Sequence, residues 1–321
     1  MPSSTLDSLV ESYCATSEAN QRRLAHLADL LTLFAQQRLD VMLLKGGDLL
    51  SRLYEVRGTR PLADIDLLVR EEDVDAIDRL LRAQGFEPQI DGNPAYCSVK
   101  SGLLLDITTS LWFLTTEQLR GLWNRTVPRS VEPGYARVMA TEDLLLYLTA
   151  YCVVHRGYFS PTFFQDLALL IEKDRPDWNL VIERAIAWHL TMPLLHGLSM
   201  AGRSPQNPPI PEEVFSRLAP TGWWQPRLLA ILRRLVTHHA IPELGHFLLV
   251  VTQPPNRWVD RLRHVFFPSP AFLAYRYGPS GPRNPVRTKL QRIVHLLGSG
   301  TVLAWRIAVA LLIPTGQEAR S

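Results

Sequence analysis

Two glycines and two aspartates have a spacing that predicts chemistry with phosphates and divalent metal ions. Gly46 and Gly47 follow the apolar run Val41–Leu44, and sixteen residues separate them from Asp64. One apolar residue lies between Asp64 and Asp66, so on a strand both side chains project from the same face, with Cα atoms about 6 to 7 Å apart. Carboxylates at this spacing suit one or two Mg²⁺ ions that also bind substrate phosphates.

Three elements must position these groups. The apolar pattern predicts a buried strand over Val41–Leu44, the first turns of a helix over Asp48–Tyr54, and a second strand over Ile65–Val69. The first N–H groups of a helix have no intrahelical partner, and glycines let a phosphate approach the backbone closely. Lys45 adds a cation beside the glycines. This order of elements is more specific than a lone D-x-D, which is most often a solvent-facing strand end.

The ordered set resembles the nucleotidyltransferase superfamily that includes DNA polymerase beta and kanamycin nucleotidyltransferase. More closely, it resembles an uncharacterised bacterial nucleotidyltransferase family whose pattern runs Lys-Gly, a helix ending near Tyr, an Arg, then D-I-D-L-L-V. The matching residues here are Lys45, Gly46, Tyr54, Arg60, Asp64 and Asp66. The resemblance implies an α+β fold, in which a polymerase-beta-like core of mixed sheet and flanking helices precedes an all-helical lobe.

A third carboxylate is expected on a later strand, because members of the superfamily commonly use one to orient and deprotonate the acceptor hydroxyl. The runs Ala95–Val99 and Leu103–Ile107 predict a hairpin, and Asp106 falls near the end of its second strand. A charge in so apolar a strand is costly unless it is paired or bound to metal, and a salt bridge at a strand end is the alternative. The family usually has a histidine where this chain has Thr108, which puts the handling of the acceptor in doubt more than metal binding.

The resemblance implies Mg²⁺-dependent (or Mn²⁺-dependent) transfer of a nucleoside monophosphate, with AMP from ATP favoured, to an acceptor hydroxyl. The expected catalytic and metal-binding residues are Asp64, Asp66 and Asp106. The expected nucleotide-binding residues are Lys45, Gly46, Gly47 and Arg60. A small molecule or peptide natural product is the favoured acceptor, and nucleic acid is a less favoured partner. The alternatives are a toxin-like nucleotidyltransferase acting on tRNA or protein, and a non-catalytic nucleotide-binding scaffold.

Two domains are predicted: residues 1–140, a nucleotidyltransferase core with an N-terminal helix, and residues 141–321, a helical domain with a basic C-terminal segment. The N-terminal helix is expected over Thr5–Gln37, and a strand over Tyr135–Met139 closes the core. A long helix is expected to begin at Thr141. Further helices are expected at Pro161–Lys173, Trp178–His189, Glu212–Leu218, Arg227–His238, Val259–Phe267 and Pro285–Leu297.

Two residues of the helical domain also match the narrower family. His155 is expected at the end of the helix that begins at Thr141, and Asp166 lies in the next helix. A histidine and an aspartate on adjacent antiparallel helices can hydrogen-bond and orient each other. A contact to nucleotide or acceptor and a role in locking the helices together are equally favoured.

Composition indicates a soluble globular protein of 321 residues, with 46% hydrophobic and 20% charged residues. The three cysteines have no paired spacing, which favours a reducing cytoplasm and argues against a disulfide framework or a cysteine zinc site. Met1–Tyr13 lacks the pattern of a signal peptide, and the apolar stretch Thr301–Pro314 is too short to span a bilayer. From Arg257 onward, the sequence has ten Lys and Arg residues but two acidic residues. A solvated helix face is the favoured explanation, and contact with a polyanion is the alternative.

Overall fold

The computed structural model describes residues 3–90, 94–131, 134–253, 257–267, 273 and 285–312. The chain divides into two compact units. Unit 1 consists of Met1–Leu111 and Thr116–Ala140, and unit 2 consists of Trp112–Thr115 and Thr141–Ser321. Unit 1 combines a sheet with helices, and the described part of unit 2 is helical. The predicted α+β fold, with a mixed-sheet core followed by a helical region, is therefore confirmed.

The described strands of unit 1 form one mixed sheet with the order β3-β4-β5-β2-β1-β7-β6. Strand β1 pairs antiparallel with β2 and parallel with β7, while β2 pairs parallel with β5. The strands β1, β2 and β5 therefore lie in the middle of the sheet; β1 is buried throughout, while β5 alternates between buried and more exposed residues. The strands are β1 Val41–Leu44, β2 Asp64–Val69, β3 Phe86–Ile90, β4 Pro94–Ser98, β5 Leu104–Thr108, β6 Val127–Val131 and β7 Gly134–Val138.

The helices of unit 1 are α1 Ser3–Gln36, α2 Lys45–Leu53, α3 Val74–Ala83 and α4 Thr116–Arg125, with single 3₁₀ turns at Arg57–Thr59 and Glu71–Asp73. Helix α1 buries an apolar stripe that includes Leu24, Leu27 and Leu31. These residues recur at the spacing of one helix face, which explains why so long a segment folds as a single helix. It packs against β7 and the first 3₁₀ turn.

The helices described in unit 2 are α5 Thr141–Ala150, α6 Pro161–Asp174, α7 Trp178–Ala187, α8 Thr191–Ala201, α9 Glu212–Arg217, α10 Gln225–Leu235, α11 Leu244–Val251, α12 Trp258–Phe266 and α13 Pro285–Leu312. Helix α5 continues into a π-helical segment, Tyr151–Arg156. The excursion Trp112–Thr115 contributes Phe113, whose buried ring contacts Tyr147 and Trp188. Among the described residues, no helix is long and apolar enough to cross a membrane.

Most predicted elements are present, but several were not predicted. The strands β3 and β6 are the two edges of the sheet, and each contains a proline. Proline is tolerated at an edge because its missing N–H can face solvent, so the pattern there is weak. Helices α4, α8 and α11 were also missed. The prediction of one helix over Trp178–His189 runs slightly too far, since α7 ends at Ala187 and His189 has a φ of +59°.

Candidate active site

Three carboxylates project from one face of the central strands. In the parallel pair of β2 and β5, Asp66 is in register with Asp106, and Asp64 precedes Asp66 by two residues. Side chains two apart, and side chains in register, point to the same side of a sheet. Asp66 is 9% exposed, Asp106 is half-buried and Asp64 is exposed, so the three carboxylates range from buried to solvent-exposed.

Strand β1 brings the start of helix α2 to the same edge. Leu44, its last residue, is in register with Asp66 in the antiparallel pair of β1 and β2. Helix α2 begins at Lys45, the next residue, so the change from strand to helix occurs beside the aspartates. The backbone turns sharply at Lys45, whose φ is +45°. A non-glycine residue in that region is uncommon and costs backbone strain of the kind found at functional sites.

The side chain of Lys45 forms an ion pair inside the site. Its Nζ atom donates to Asp66 Oδ1 at 2.5 Å, and the two side chains are 21% and 12% exposed. The spacing of the sequence predicted a lysine beside the glycines but not this partner. The structure therefore places the cation expected to contact phosphate directly on a carboxylate expected to bind metal.

Gly46 and Gly47 are buried in the first turn of α2, which begins three residues before the predicted start at Asp48, and Arg60 lies over the first of them. A Cβ atom at Gly46 would lie 2.8 Å from Arg60 Nη1 and 2.8 Å from Leu62 Cδ1. The Arg60 guanidinium also lies 5.9 Å from the centre of the Tyr54 ring. The absence of a side chain at Gly46 thus lets Arg60 approach the N-terminus of α2, and the structure brings together these two sequence-predicted residues.

Asn20 positions the loop that carries Arg60, and sequence reasoning missed it. Its fully buried side chain donates from Nδ2 to the carbonyls of Arg57 and Arg60, at 2.6 and 2.8 Å. Its Oδ1 accepts from the N–H of Leu62 at 3.0 Å. The sequence does contain an indication of this role, because Asn20 lies on the same face of α1 as Leu24. A polar residue in an otherwise apolar stripe indicates a buried hydrogen-bonding role.

The acid in the first turn of α2 has a structural role. Asp48 is fully buried and pairs with Arg52 at 3.2 Å and with Arg129 at 3.6 Å. Arg52 also donates to the carbonyl of Met139 at 3.0 Å. This network ties α2 to the chain leaving β7, which holds the helix N-terminus at the edge of the sheet.

The three aspartates supply the hard oxygen donors that Mg²⁺ prefers, and their strand positions fit a shared ion. Their side chains as placed do not form such a site, because no group of three or more His, Cys, Asp or Glu residues in the described part of the chain is arranged to hold a metal. The Lys45 ammonium occupies Asp66 instead. A divalent ion that binds Asp66 through Oδ1 would therefore have to displace the Lys45 ammonium from that oxygen.

Comparison with known proteins identifies the family to which the chain belongs. A family described as uncharacterised nucleotidyltransferase matches residues 1–204, well over half of the 321-residue chain. The chain belongs to this family. The nucleotidyltransferase is also similar to the crystal structure of an antigenic nucleotidyltransferase-like protein from Paracoccidioides brasiliensis, with 13% identity and a TM-score of 0.41, covering 62% of this chain and 92% of that chain. No curated protein matches.

The other two predicted site residues of this nucleotidyltransferase lie in unit 2. His155 is exposed in the π-helical segment, where its ring stacks on Tyr151 at 5.2 Å and on Trp112 at 6.1 Å. Asp166 lies in α6 and is 4% exposed. π-Helical turns are frequent at functional sites, and the flat aromatic stack around His155 gives this surface a defined shape. The hydrogen bond predicted between His155 and Asp166 stays a prediction.

The basic segment of the nucleotidyltransferase is partly engaged in packing. Arg257, predicted to lie on a solvated face, donates to Gln253 Oε1 at 3.1 Å. Arg263 is exposed in α12. Most of the chain between α12 and α13 lies outside the described residues. None of the three cysteines forms a disulfide; Cys14 is exposed and Cys152 is buried.

Proposed function

We propose that this chain transfers a nucleoside monophosphate, favouring AMP from ATP, to the hydroxyl group of a small molecule or peptide natural product. The register of Asp66 with Asp106 is the observation that carries the proposal. Two carboxylates in register, with a third two residues away, supply oxygen ligands on one face next to a helix N-terminus. Family membership supplies the reaction class, and the labelling experiment below identifies the acceptor.

Asp64, Asp66 and Asp106 would hold Mg²⁺ or Mn²⁺, which when bound neutralises negative charge on the phosphoryl group being transferred. Asp106 is half-buried and would accept the proton of the attacking hydroxyl. The N–H groups in the first turn of α2 have no intrahelical partner and would bind the leaving phosphates. Lys45 and Arg60 add two cations at the same helix end, where they would orient those phosphates. Positioning and electrostatics then supply most of the rate enhancement.

The test is incubation of the purified protein with labelled ATP, GTP, CTP and UTP, Mg²⁺ and a cell extract, followed by tracing of the label. We expect label on one class of acceptor, and loss of labelling in the Asp64→Asn, Asp66→Asn double variant. The same variant should lose the rise in melting temperature that Mg²⁺ with NTP gives the wild type, because a ligand stabilises only a protein that binds it. Asp78→Asn, which changes an aspartate of α3 outside the site, is the matched control.

Three results would count against this function. An equal melting shift in wild type and double variant would remove the aspartates from the nucleotide site. Binding of NTP without label transfer to any acceptor would favour a non-catalytic scaffold. Label on tRNA or protein instead would favour the toxin-like alternative, and that acceptor should then be bound more weakly at higher salt.

A further inference from the structure

A cavity of about 630 Å³ lies within unit 2, at a distance in sequence from the carboxylates. Its walls come from the ends of α7, α9 and α11 and from the starts of α8, α10 and α12. Pockets for small molecules have volumes of this order. Most of the lining residues follow residue 204, where the family match ends. The cavity is therefore a feature of this chain beyond the part that carries the nucleotidyltransferase resemblance.

Three tryptophans give the cavity flat apolar walls. Trp223, Trp224 and Trp258 all line it, and the first two rings lie 5.7 Å apart with an angle of 57°. Trp223 is 73% exposed although it is the largest type of apolar side chain. The indole N–H of Trp258 already donates to the carbonyl of Gln253 at 2.8 Å, which fixes that ring. Aromatic walls of this kind favour a planar apolar ligand, which stacks on them.

The cavity wall also holds a hydrogen-bond donor that lacks an acceptor. Gln253 lines the cavity and is 3% exposed. Its Oε1 accepts from Arg257, which fixes the orientation of the amide, and its Nε2 has no hydrogen-bond partner among the described residues. A buried N–H without a partner is costly, so a ligand oxygen that reaches Nε2, which the surrounding side chains cover in the structure, would be bound there with a net gain.

The charge of the lining excludes a cationic ligand. Arg217 lines the cavity, Arg257 lies behind Gln253, and none of the described lining residues is an aspartate or glutamate. Partial burial and the nearby charge of Arg257 lower the pKa of His189, so this lining histidine is neutral at pH 7. Arg217 also forms an exposed ion pair with Glu213, whose carboxylate lies 3.9 Å away and outside the lining, so the net field in the cavity is weakly positive and favours an anion or a neutral oxygen-bearing molecule.

We propose that this cavity binds a planar aromatic molecule that carries a carboxylate or carbonyl oxygen. The rings stack on the tryptophans, and the oxygen accepts from Gln253 Nε2 in the positive field of Arg217 and Arg257. This second site does not depend on the nucleotide chemistry of unit 1, so its test neither requires nor measures nucleotide transfer.

The test uses three probes of one shape: 2-naphthoate, its methyl ester, and 2-naphthylmethylammonium, titrated into the full chain by calorimetry. We expect 2-naphthoate and the ester to bind, and the ammonium to bind at least tenfold more weakly. Equal binding of the ammonium, or no binding of 2-naphthoate, overturns the proposal.

Two variants locate the probe. Gln253→Glu keeps an acceptor for Arg257 but removes the Nε2 donor, and Trp224→Ala removes one wall. Each substitution should weaken the binding of 2-naphthoate at least tenfold, in a variant whose circular dichroism spectrum matches that of the wild type. Gln253→Met is the second variant for the donor if the buried glutamate prevents folding. Trp305→Ala is the control, because Trp305 is about as exposed as Trp223 (70%) but does not line the cavity. Unchanged affinity in both site variants would place the probe elsewhere and refute the assignment.

Discussion

Lys45 Nζ lies 2.5 Å from Asp66 Oδ1, so a cation from the helix start occupies the carboxylate at the centre of the aspartate face. An ammonium and a divalent ion repel each other, so a metal bound through Oδ1 would compete with Lys45 for that oxygen. The ion pair therefore keeps the carboxylate charge balanced when no metal is bound. If Asp66 binds a metal through Oδ1, the ammonium would be released beside the N-terminus of α2, where the phosphates are proposed to lie.

The competition predicts opposite effects of Lys45→Met on metal binding and on catalysis. Without nucleotide, Mn²⁺ should bind about tenfold more tightly, corresponding to about 1.4 kcal/mol, because no ammonium has to be displaced. Label transfer should fall, because a cation for the phosphates is lost. Mn²⁺ titration followed by electron paramagnetic resonance measures the first effect. Lys100→Met, which changes an exposed lysine in the turn before β5, should change neither. Weaker Mn²⁺ binding in Lys45→Met would mean that the lysine supports the metal site instead of competing with it.

The half-buried position of Asp106 predicts a separation of binding from turnover. Asp106→Asn keeps the shape of the side chain but removes its capacity to accept a proton. Turnover should fall about 10³-fold, as for the loss of a general base, while NTP affinity should stay within about threefold. Single-turnover label transfer and nucleotide titration measure the two quantities. If activity is retained, Asp106 is a structural residue at a strand end.

The hydrogen bonds of Asn20 predict a stability effect far from the aspartates in sequence. Asn20→Ala leaves two carbonyls and one N–H of the Arg57–Leu62 loop without their buried partner. We expect a loss of about 3 kcal/mol in the free energy of unfolding, measured with urea. Asn124→Ala, at an exposed position of α4, should change it by less than about 0.5 kcal/mol. A loss at Asn20 as small as that at Asn124 would show that water replaces these bonds.

The same substitution should impair nucleotide binding, because the loop that Asn20 holds carries Arg60. A weaker melting shift with Mg²⁺ and NTP in Asn20→Ala, at a temperature where the variant is folded, is the expected sign. Unchanged nucleotide binding would show that Arg60 is held by Tyr54 and Gly46 alone.

The central part of the fold could be predicted from the sequence because its signals are local. Strand β1 is a continuous apolar run, β2 and β5 are apolar apart from their aspartates and the terminal Thr108, and the alternation within β2 places Asp64 and Asp66 on one face. Strands β3 and β6 could not be predicted, because each is an edge strand with a proline, stabilised by its neighbour more than by its own residues.

The contacts of the site depend on residues far apart in the chain, which a local pattern does not encode. The sequence predicted Lys45 next to the glycines, but its pairing with Asp66 requires β1 and β2 to be in register. The role of Asn20 depends on a loop about 40 residues away along the chain. The tryptophan cavity combines the ends of six helices, two of which were not predicted as helices.

The buried His196 of unit 2 predicts how the free energy of unfolding changes with pH. His196 is 1% exposed, and its Nε2 lies 2.9 Å from the carbonyl oxygen of Val236, to which it donates. Burial, assisted by Arg233 and Arg203, lowers the pKa of His196 from 6.5 to about 4. The unfolded chain therefore binds a proton between these values that the folded chain does not. By linkage, the contribution of His196 to the free energy of unfolding is fully present above about pH 6.5 and is lost as the pH falls toward 4.

The size of this loss follows from the pKa difference. At pH 5 it amounts to about 2 kcal/mol, since each unit between the unfolded pKa and the pH contributes about 1.4 kcal/mol. His196→Gln keeps a side-chain donor for Val236 but does not titrate. Other titrating groups, including His189 and Glu243, whose pKa values are also lowered, remain in both proteins, so the difference between the two isolates His196. Urea unfolding at pH 7 and pH 5 should show a drop about 2 kcal/mol smaller in His196→Gln than in wild type. Equal drops would show that His196 becomes protonated within the folded state, through an opening of the packing around Val236.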